Sequence, residues 1–269
     1  MQYITPILLV ALIGLIAGVI LTIAAKFMAV ETDETALLVL EALPGANCGA
    51  CGFAGCEDYA NALVADRENT KANLCTPGGN QVVKDISEIL GLEFEEAAGK
   101  IAIMKCSGTL DRTSYSMDYQ GYPTCQASKL FYKGRGKCQT ACLGFGDCVA
   151  VCDYDAIKIE NGIAVIDREK CVGCGLCAKA CPNYLIEIVP EKTRVVVGCS
   201  SIDKAKATRQ ICTIGCIACN RCVKECKFDA IHVIDNHAVI DYEKCTNCTL
   251  CSKVCPTKVI HVYPRIKKN

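Results

Sequence analysis

The chain has 269 residues, of which 24 are cysteine and none tryptophan, and its 29 Lys and Arg are balanced by 29 Asp and Glu. No aromatic-interleaved basic patch accompanies the charge, which excludes a nucleic-acid-binding protein. The lack of a nucleophile–base pair, a nucleotide-binding glycine fingerprint or a carboxylate dyad excludes a self-contained active site.

In chain order, residues 4–25 form a stretch of 22 residues without a charge. At about 1.5 Å per residue such a helix spans a bilayer core of about 30 Å. Residues 1–3 contain no Lys or Arg, unlike the basic start of a cleaved signal peptide. An uncleaved single-pass anchor over residues 1–30 is expected, seated in the lipid of the cell (inner) membrane. Lys26 on its far side puts the body of the chain in the cytoplasm. No ionisable group lies in the span, so an ion path through it is not expected.

Residues 31–100 read as a small helical domain. Thr32-Asp33 precedes a helical pattern over 34–43 that Pro44-Gly45 stops. Further helices are predicted over 57–65 and 81–90, the latter closed by Gly91. Between them stands Asn47-Cys48-Gly49-Ala50-Cys51-Gly52-Phe53-Ala54-Gly55-Cys56, with Cys75 further on. Cys48, Cys51, Cys56 and Cys75 are candidate ligands of a four-thiolate iron–sulfur site, since glycines without a Cβ let backbone N–H groups approach cluster sulfurs. The rival reading is a glycine-rich turn that merely contains cysteines. Residues 101–121 form a linker with a strand over 101–105 that ends at Cys106.

The remaining sequence is a repeat. Cys125, Cys138, Cys142, Cys148, Cys152, Cys171, Cys174, Cys177 and Cys181 recur 74 residues on as Cys199, Cys212, Cys216, Cys222, Cys226, Cys245, Cys248, Cys251 and Cys255. Only Phe145 against Cys219 breaks the match. The spacing C-x2-C-x2-C-x3-C-P at Cys171 and Cys245 is that of bacterial 4Fe-4S ferredoxins, whose fourth cysteine serves the neighbouring cube. Residues 122–195 and 196–269 are therefore two tandem ferredoxin-like modules. In the second, Cys216, Cys219, Cys222 and Cys255 make one set, and Cys245, Cys248, Cys251 and Cys226 the other. In the first, Cys171, Cys174, Cys177 and Cys152 make one. Cys142, Cys148 and Cys181 lack a partner, and Cys138, one helical turn before Cys142, is the first choice to supply it.

Four thiols are then left over: Cys106, Cys125, Cys199 and Cys212. They form a sixth set, or Cys125, Cys138, Cys199 and Cys212 do so with Cys106 completing the defective one, or they are buried inert thiols. Five 4Fe-4S clusters are thus expected, with a sixth left open. Zinc fits poorly because three ligands crowd one loop. A disulfide framework is opposed by the chain's length, its regular spacing and its lack of a cleavable secretory signal.

Within the modules, residues 157–159 and 163–166 flank Asn161-Gly162, a hairpin signal that Asp235-Asn236 replaces in the second copy. His232, His237 and His261 read as surface or satisfied strand positions. Residues 31–100 carry 4 basic and 13 acidic groups, or −9, while residues 101–269 carry 24 and 16, or +8. The run Lys129, Lys133, Arg135 and Lys137 is able to steer an acidic protein toward the clusters, its rival reading being a solvated loop. The fold class expected is α+β: an N-terminal transmembrane helix, a helical four-Cys domain and two bacterial-ferredoxin-like modules.

The anchor, the Asn47–Cys56 motif with Cys75-Thr76-Pro77-Gly78-Gly79, and the ferredoxin spacings that follow resemble the family of B subunits of the Rnf complex, a membrane-bound ferredoxin:NAD oxidoreductase. Two ferredoxin modules and extra cysteines set this chain apart from the shorter members. The resemblance implies an oxidoreductase subunit that takes electrons from reduced ferredoxin. It would pass them to flavin- and iron–sulfur-bearing subunits, which reduce NAD and drive Na+ or H+ across the membrane. Two other readings are an iron–sulfur subunit of a membrane hydrogenase or formate dehydrogenase, and an iron–sulfur carrier or structural protein.

Overall fold

The computed structural model describes the backbone of residues 4–27, 33–67 and 69–266 and, within these, all side chains but those of 4–7, 10 and 25–27. The uncharged run forms helix α1 over Ile4–Phe27. Among the described residues, however, no helix is long and apolar enough to cross a membrane, which corrects the expected N-terminal transmembrane helix and its single-pass anchor.

Helices α2 (Glu34–Ala42), α3 (Cys56–Ala65) and α4 (Gly79–Leu90) follow, close to the predicted spans. Asp33 caps α2 by accepting the Thr35 N–H at 2.8 Å, and this bond holds its carboxyl below the usual range. Gly91 ends α4 in the left-handed region at φ 66°, where a Cβ would be strained. The three helices close on Val39, Tyr59, Leu63 and Ile86, all fully buried. Their packed ends frame the Cys48–Cys56 loop.

Each ferredoxin-like module is built from two antiparallel two-stranded sheets. In the first, β1 (Lys100–Met104) pairs with β4 (Ile186–Pro190), Ile101 opposite Val189, and β2 (Ile157–Glu160) pairs with β3 (Ile163–Ile166). Helices α5 (Cys125–Leu130), α6 (Asp147–Ala150) and α7 (Leu176–Ala180) are short. In the second, β5 (Val195–Val197) pairs with β8 (Ile260–Val262), and β6 (Ile231–Ile234) with β7 (His237–Ile240). They stand beside α8 (Ala205–Ile211), α9 (Arg221–Glu225) and α10 (Leu250–Lys253). The β2–β3 turn has Asn161 at φ 45° and Gly162 at φ 82°, the two positive values an Asn-Gly hairpin requires.

The predicted linker strand is not a linker. β1 completes the first module's sheet, and β5 does the same for the second. Residues 105–113 stitch the modules together: the Ser107 N–H donates to Gly198 O at 2.9 Å, and the Thr213 N–H to Arg112 O at 3.0 Å. The Thr113 hydroxyl donates to Ile211 O at 2.8 Å.

One glycine tests this packing. Gly173 has φ +68°, and a Cβ there would lie 2.4 Å from the Lys100 carbonyl oxygen of β1, whereas at Gly175 (φ +81°) the nearest atom is 3.7 Å away. Gly175→Ala is expected to lose only the about 1–3 kcal/mol of backbone strain, and Gly173→Ala more, because β1 must also move. Anaerobic denaturation of the two variants checks the order; equal losses would show that β1 does not confine the loop.

Candidate iron–sulfur centres

No disulfide joins any of the 24 cysteines, all of which lie among the described residues, and this removes the disulfide framework. The structure gathers the thiols in fours. In the front domain, burial and then the charges of Cys56, Cys48 and Cys51 push the Cys75 thiol up to about 11. The loop that carries them is held by Asn47, whose Oδ1 accepts the Cys56 N–H at 2.8 Å. It passes so close that a Cβ on Gly55 would meet the same oxygen at 2.8 Å.

Cys152, Cys171, Cys174 and Cys177 line one hollow whose other walls include Ala102, Val151, Ala156 and Ile157. The Ala102 N–H of β1 donates to the Cys171 sulfur at 3.3 Å. In the second module Cys226, Cys245, Cys248 and Cys251 line an equivalent hollow, and the Ala230 N–H donates to the Cys226 sulfur at 3.4 Å. Burial and then the neighbouring Cys216, Cys219 and Cys255 push Cys222 up to about 11.

The defective set is completed differently from the expectation. Cys142, Cys148 and Cys181 share one hollow with Cys125, not Cys138. Cys125 begins α5, capped by the Thr124 hydroxyl. Asp147 accepts the N–H groups of Cys125 and Gln126 at 2.8 and 3.0 Å, clamping that helix start to the residue before Cys148. Phe145, standing where the second module has Cys219, is occupied elsewhere: the Arg135 guanidinium lies 3.9 Å over its ring and 4.2 Å over that of Tyr115. Arg135 also donates to Leu143 O at 3.0 Å, so it is a packing residue and not a free docking charge.

Cys106, Cys138, Cys199 and Cys212 make the sixth set, at the seam between the modules. A Cβ on Gly108 would lie 3.6 Å from the Cys212 sulfur and 3.7 Å from that of Cys106. Cys138 is the thiol that the other three share as a neighbour, and burial first, then Cys142 and Cys138, pushes Cys106 up to about 12. Neither sequence grouping of the leftover thiols matches this one. The signal that points to it is Thr124: a cap residue directly before Cys125 starts a helix there, whereas Cys199, its repeat partner, follows a strand.

The thiol sets adjoin one another in succession, from the front domain to the second module. Cys174 of the first module has Cys48 of the front set beside it, and the Lys179 ammonium donates to Cys48 O at 2.8 Å. Cys148 adjoins Cys177, both in one buried core with Cys171. Cys142 and Cys138 pack on Cys106. Cys199 adjoins Cys216, and Cys222 adjoins Cys251.

These sites suit a thiolate-held cluster better than a single ion. Among the described residues no group of three or more His, Cys, Asp or Glu converges tightly enough to hold one metal ion. A zinc held at Zn–S distances of about 2.3 Å would need such convergence. Instead, four thiols ring each of three apolar hollows, and backbone N–H groups point at the sulfurs, the arrangement that stabilises negative charge on a cluster.

Family models agree. One for an Fe-S cluster matches residues 43–77, one for a 4Fe-4S binding domain residues 164–187, and one for a 4Fe-4S dicluster domain residues 215–259. The chain is 42% identical to the B subunit of the Na(+)-translocating ferredoxin:NAD(+) oxidoreductase complex of Acetobacterium woodii, over 95% of this chain and 76% of that one. It is 37% identical to the B subunit of the ion-translocating oxidoreductase complex of Methanosarcina acetivorans, over 96% and 98%. It is also 37% identical to the B subunit of the proton-translocating ferredoxin:NAD(+) oxidoreductase complex of Clostridium ljungdahlii, over 93% and 88%. With such identity along nearly its whole length, the chain belongs to the family of B subunits of ion-translocating oxidoreductase complexes.

Proposed function

We propose that this chain is the iron–sulfur electron-transfer subunit of an ion-translocating ferredoxin:NAD oxidoreductase complex, and that its six thiol sets hold six 4Fe-4S clusters. Bound there, the clusters supply one-electron transfer, and the chain supplies spacing, polarity and shielding from water. The observation that carries this reading is the succession of thiol sets, each with the next as a neighbour from the front domain to the second module. An end-to-end relay suits a subunit that carries electrons between partners and performs no chemistry of its own.

The ligands of the proposal are Cys48, Cys51, Cys56 and Cys75; Cys152, Cys171, Cys174 and Cys177; Cys125, Cys142, Cys148 and Cys181; Cys106, Cys138, Cys199 and Cys212; Cys216, Cys219, Cys222 and Cys255; and Cys226, Cys245, Cys248 and Cys251. Main-chain donors tune them. The N–H groups of Ala102, Leu185 and Ala230 face the sulfurs of Cys171, Cys181 and Cys226 at 3.3 to 3.4 Å, and such bonds raise the potential of a thiolate-held cluster. The partners are the other subunits of the complex, flavin-bearing ones included, and reduced ferredoxin. Ion translocation places that complex at a membrane. The front motif and the relatives' names separate this reading from a hydrogenase or formate dehydrogenase component, and the relay separates it from a carrier.

Iron and acid-labile sulfide in protein isolated without air are expected at about 24 each per chain, where five clusters would give about 20. Cys138→Ser should lower both by about four and leave the Cys125 set's paramagnetic signal after dithionite, and Cys125→Ser should do the converse. If Cys138→Ser instead removes the signal that Cys142→Ser removes, the regrouping is wrong. Cys219→Ser is expected to damage one cluster of the second module and to leave the front set intact, as read by iron content and low-temperature spectra. Loss of all clusters would contradict modular folding.

A further inference from the structure

The two modules are copies at an offset of 74 residues, yet one face of the first is covered while its counterpart on the second is bare. On the first module Tyr154, Cys174 and Lys179 meet the front domain: Lys179 donates to Cys48 O at 2.8 Å, and a Cβ on Gly49 would lie 3.3 Å from the same ammonium. Tyr154 and Cys174 are half-buried there, Tyr154 with Cys48 and Cys75 among its neighbours. The counterparts are Phe228, Cys248 and Lys253. Phe228 is 47% exposed and Cys248 is exposed as well; Lys253 is exposed, as Lys179 is, but lacks its bond to a cysteine loop.

The geometry points to the Phe228–Cys248–Lys253 face as the port where an acidic iron–sulfur protein docks, its cysteine-bearing loop seated as the Cys48 loop is seated on the first module. This rests on the electron-transfer reading above and locates one end of the relay. Three observations favour that occupant. The covering domain on the first module is itself an acidic four-cysteine unit, with 13 acidic against 4 basic groups over residues 31–100. Its contact is a lysine ammonium on a backbone carbonyl, which any loop of similar shape can offer. The charge beside the port is also reversed between the copies: Asp153 of the first module is Lys227 in the second, exposed and next to Cys226. Lys227 and Lys253 thus flank an apolar ring over the last thiol set, a pairing that steers a negative partner and fixes its register.

Arg135 does not compete for this role, since two aromatic rings and the Leu143 carbonyl hold it. The front set, at the other end of the succession, is buried against the first module. Cys219 and Cys248 are the exposed cysteines of the molecule, and both belong to the second module.

The test uses the full chain with its clusters and, as probe, an oxidised two-cluster bacterial ferredoxin of strong negative charge. Binding is measured without air by calorimetry across a salt series, and carbodiimide cross-links are mapped by mass spectrometry. The wild type is expected to bind in a salt-sensitive way, with cross-links at Lys227 and Lys253. Lys227→Glu with Lys253→Glu should weaken binding at least about tenfold at low salt and keep the iron content, whereas Lys133→Glu with Lys137→Glu should leave binding near wild type. Unchanged affinity in the first variant, or cross-links confined to Lys129, Lys133 and Lys137, would overturn the port and leave the electron-transfer reading standing. No saturable binding by the wild type would remove ferredoxin as the partner, and the port with it. Should the variant lose iron, the wild-type cross-link map alone decides.

Discussion

Each module depends on an exchange of cysteines between its own two halves. Cys181 follows the Cys171–Cys177 loop but turns to the hollow lined by Cys142 and Cys148, and Cys152 follows Cys148 but turns to the hollow of Cys171, Cys174 and Cys177. A helix of one turn or so, α6 or α7, separates the ligands that stay from the one that leaves. Neither hollow can be closed without the other. Sheets of two strands are marginal in water, so the order of these small elements comes from the thiols they carry and from the metal those thiols gather. The apolar residues between hollows, such as Ile101, Ala156 and Ile186, fill what remains.

The same logic explains how a duplicated module becomes part of a longer wire. A free-standing ferredoxin of this spacing closes on two clusters, and two copies in tandem would be two separate pairs. The seam is bridged because Cys106 from the end of β1 and Cys199 from the end of β5 meet Cys138 and Cys212, which occupy equivalent positions in the two repeats. Cys125 cannot serve there, since the Asp147 carboxylate pins its helix start at 2.8 and 3.0 Å. The first module lacks the ligand that Cys219 provides in the second, and Cys125, equivalent to the seam ligand Cys199, fills the gap. Phe145, released from ligation, stacks under Arg135 and so stiffens the loop that brings Cys142 to its place.

Spacing makes most of the site legible. Three-residue intervals in a tight loop allow few geometries, so the thiol groupings of the front motif, of Cys171–Cys177 and of the second module can be read from spacing, as can the Asn161-Gly162 hairpin, the Asp33 cap and the Gly91 stop. The remaining two sets depend on long-range convergence, which spacing does not encode. Cys106 and Cys199 are 93 positions apart, and nothing local reveals that the segments after their strands meet, Ser107 bonding to Gly198. β1 reads as a linker for a similar cause: its partner β4 lies beyond most of the first repeat. Arg135 looks like a surface charge in the sequence because an arginine's aromatic neighbours are invisible when one, Tyr115, lies 20 positions away. The N-terminal run carries a correct helix signal, since α1 spans Ile4–Phe27, but an apolar run is not by itself a membrane span, and among the described residues no helix is long and apolar enough for one.

Electrostatics explains why the copies diverged where they did. Sets of buried thiolates are costly to charge, as the upward-pushed thiols of Cys106, Cys148 and Cys177 show, and a cluster relieves that cost only when donors or cations face it. Where a set is enclosed on every side, backbone N–H groups suffice. At the junction between the front domain and the first module two sets approach across a domain boundary, and there Lys179 supplies a full positive charge with a hydrogen bond to hold it in place. Its copy, Lys253, keeps the charge without the bond partner because no front domain follows the second module within the described residues. A lysine retained at the same helical position in both copies, once as a strut and once facing solvent beside an exposed thiol, is explained by a shared requirement. Both positions set a cation beside a thiol set, at the front junction against a cysteine loop already in place and on the second module at the face proposed for docking.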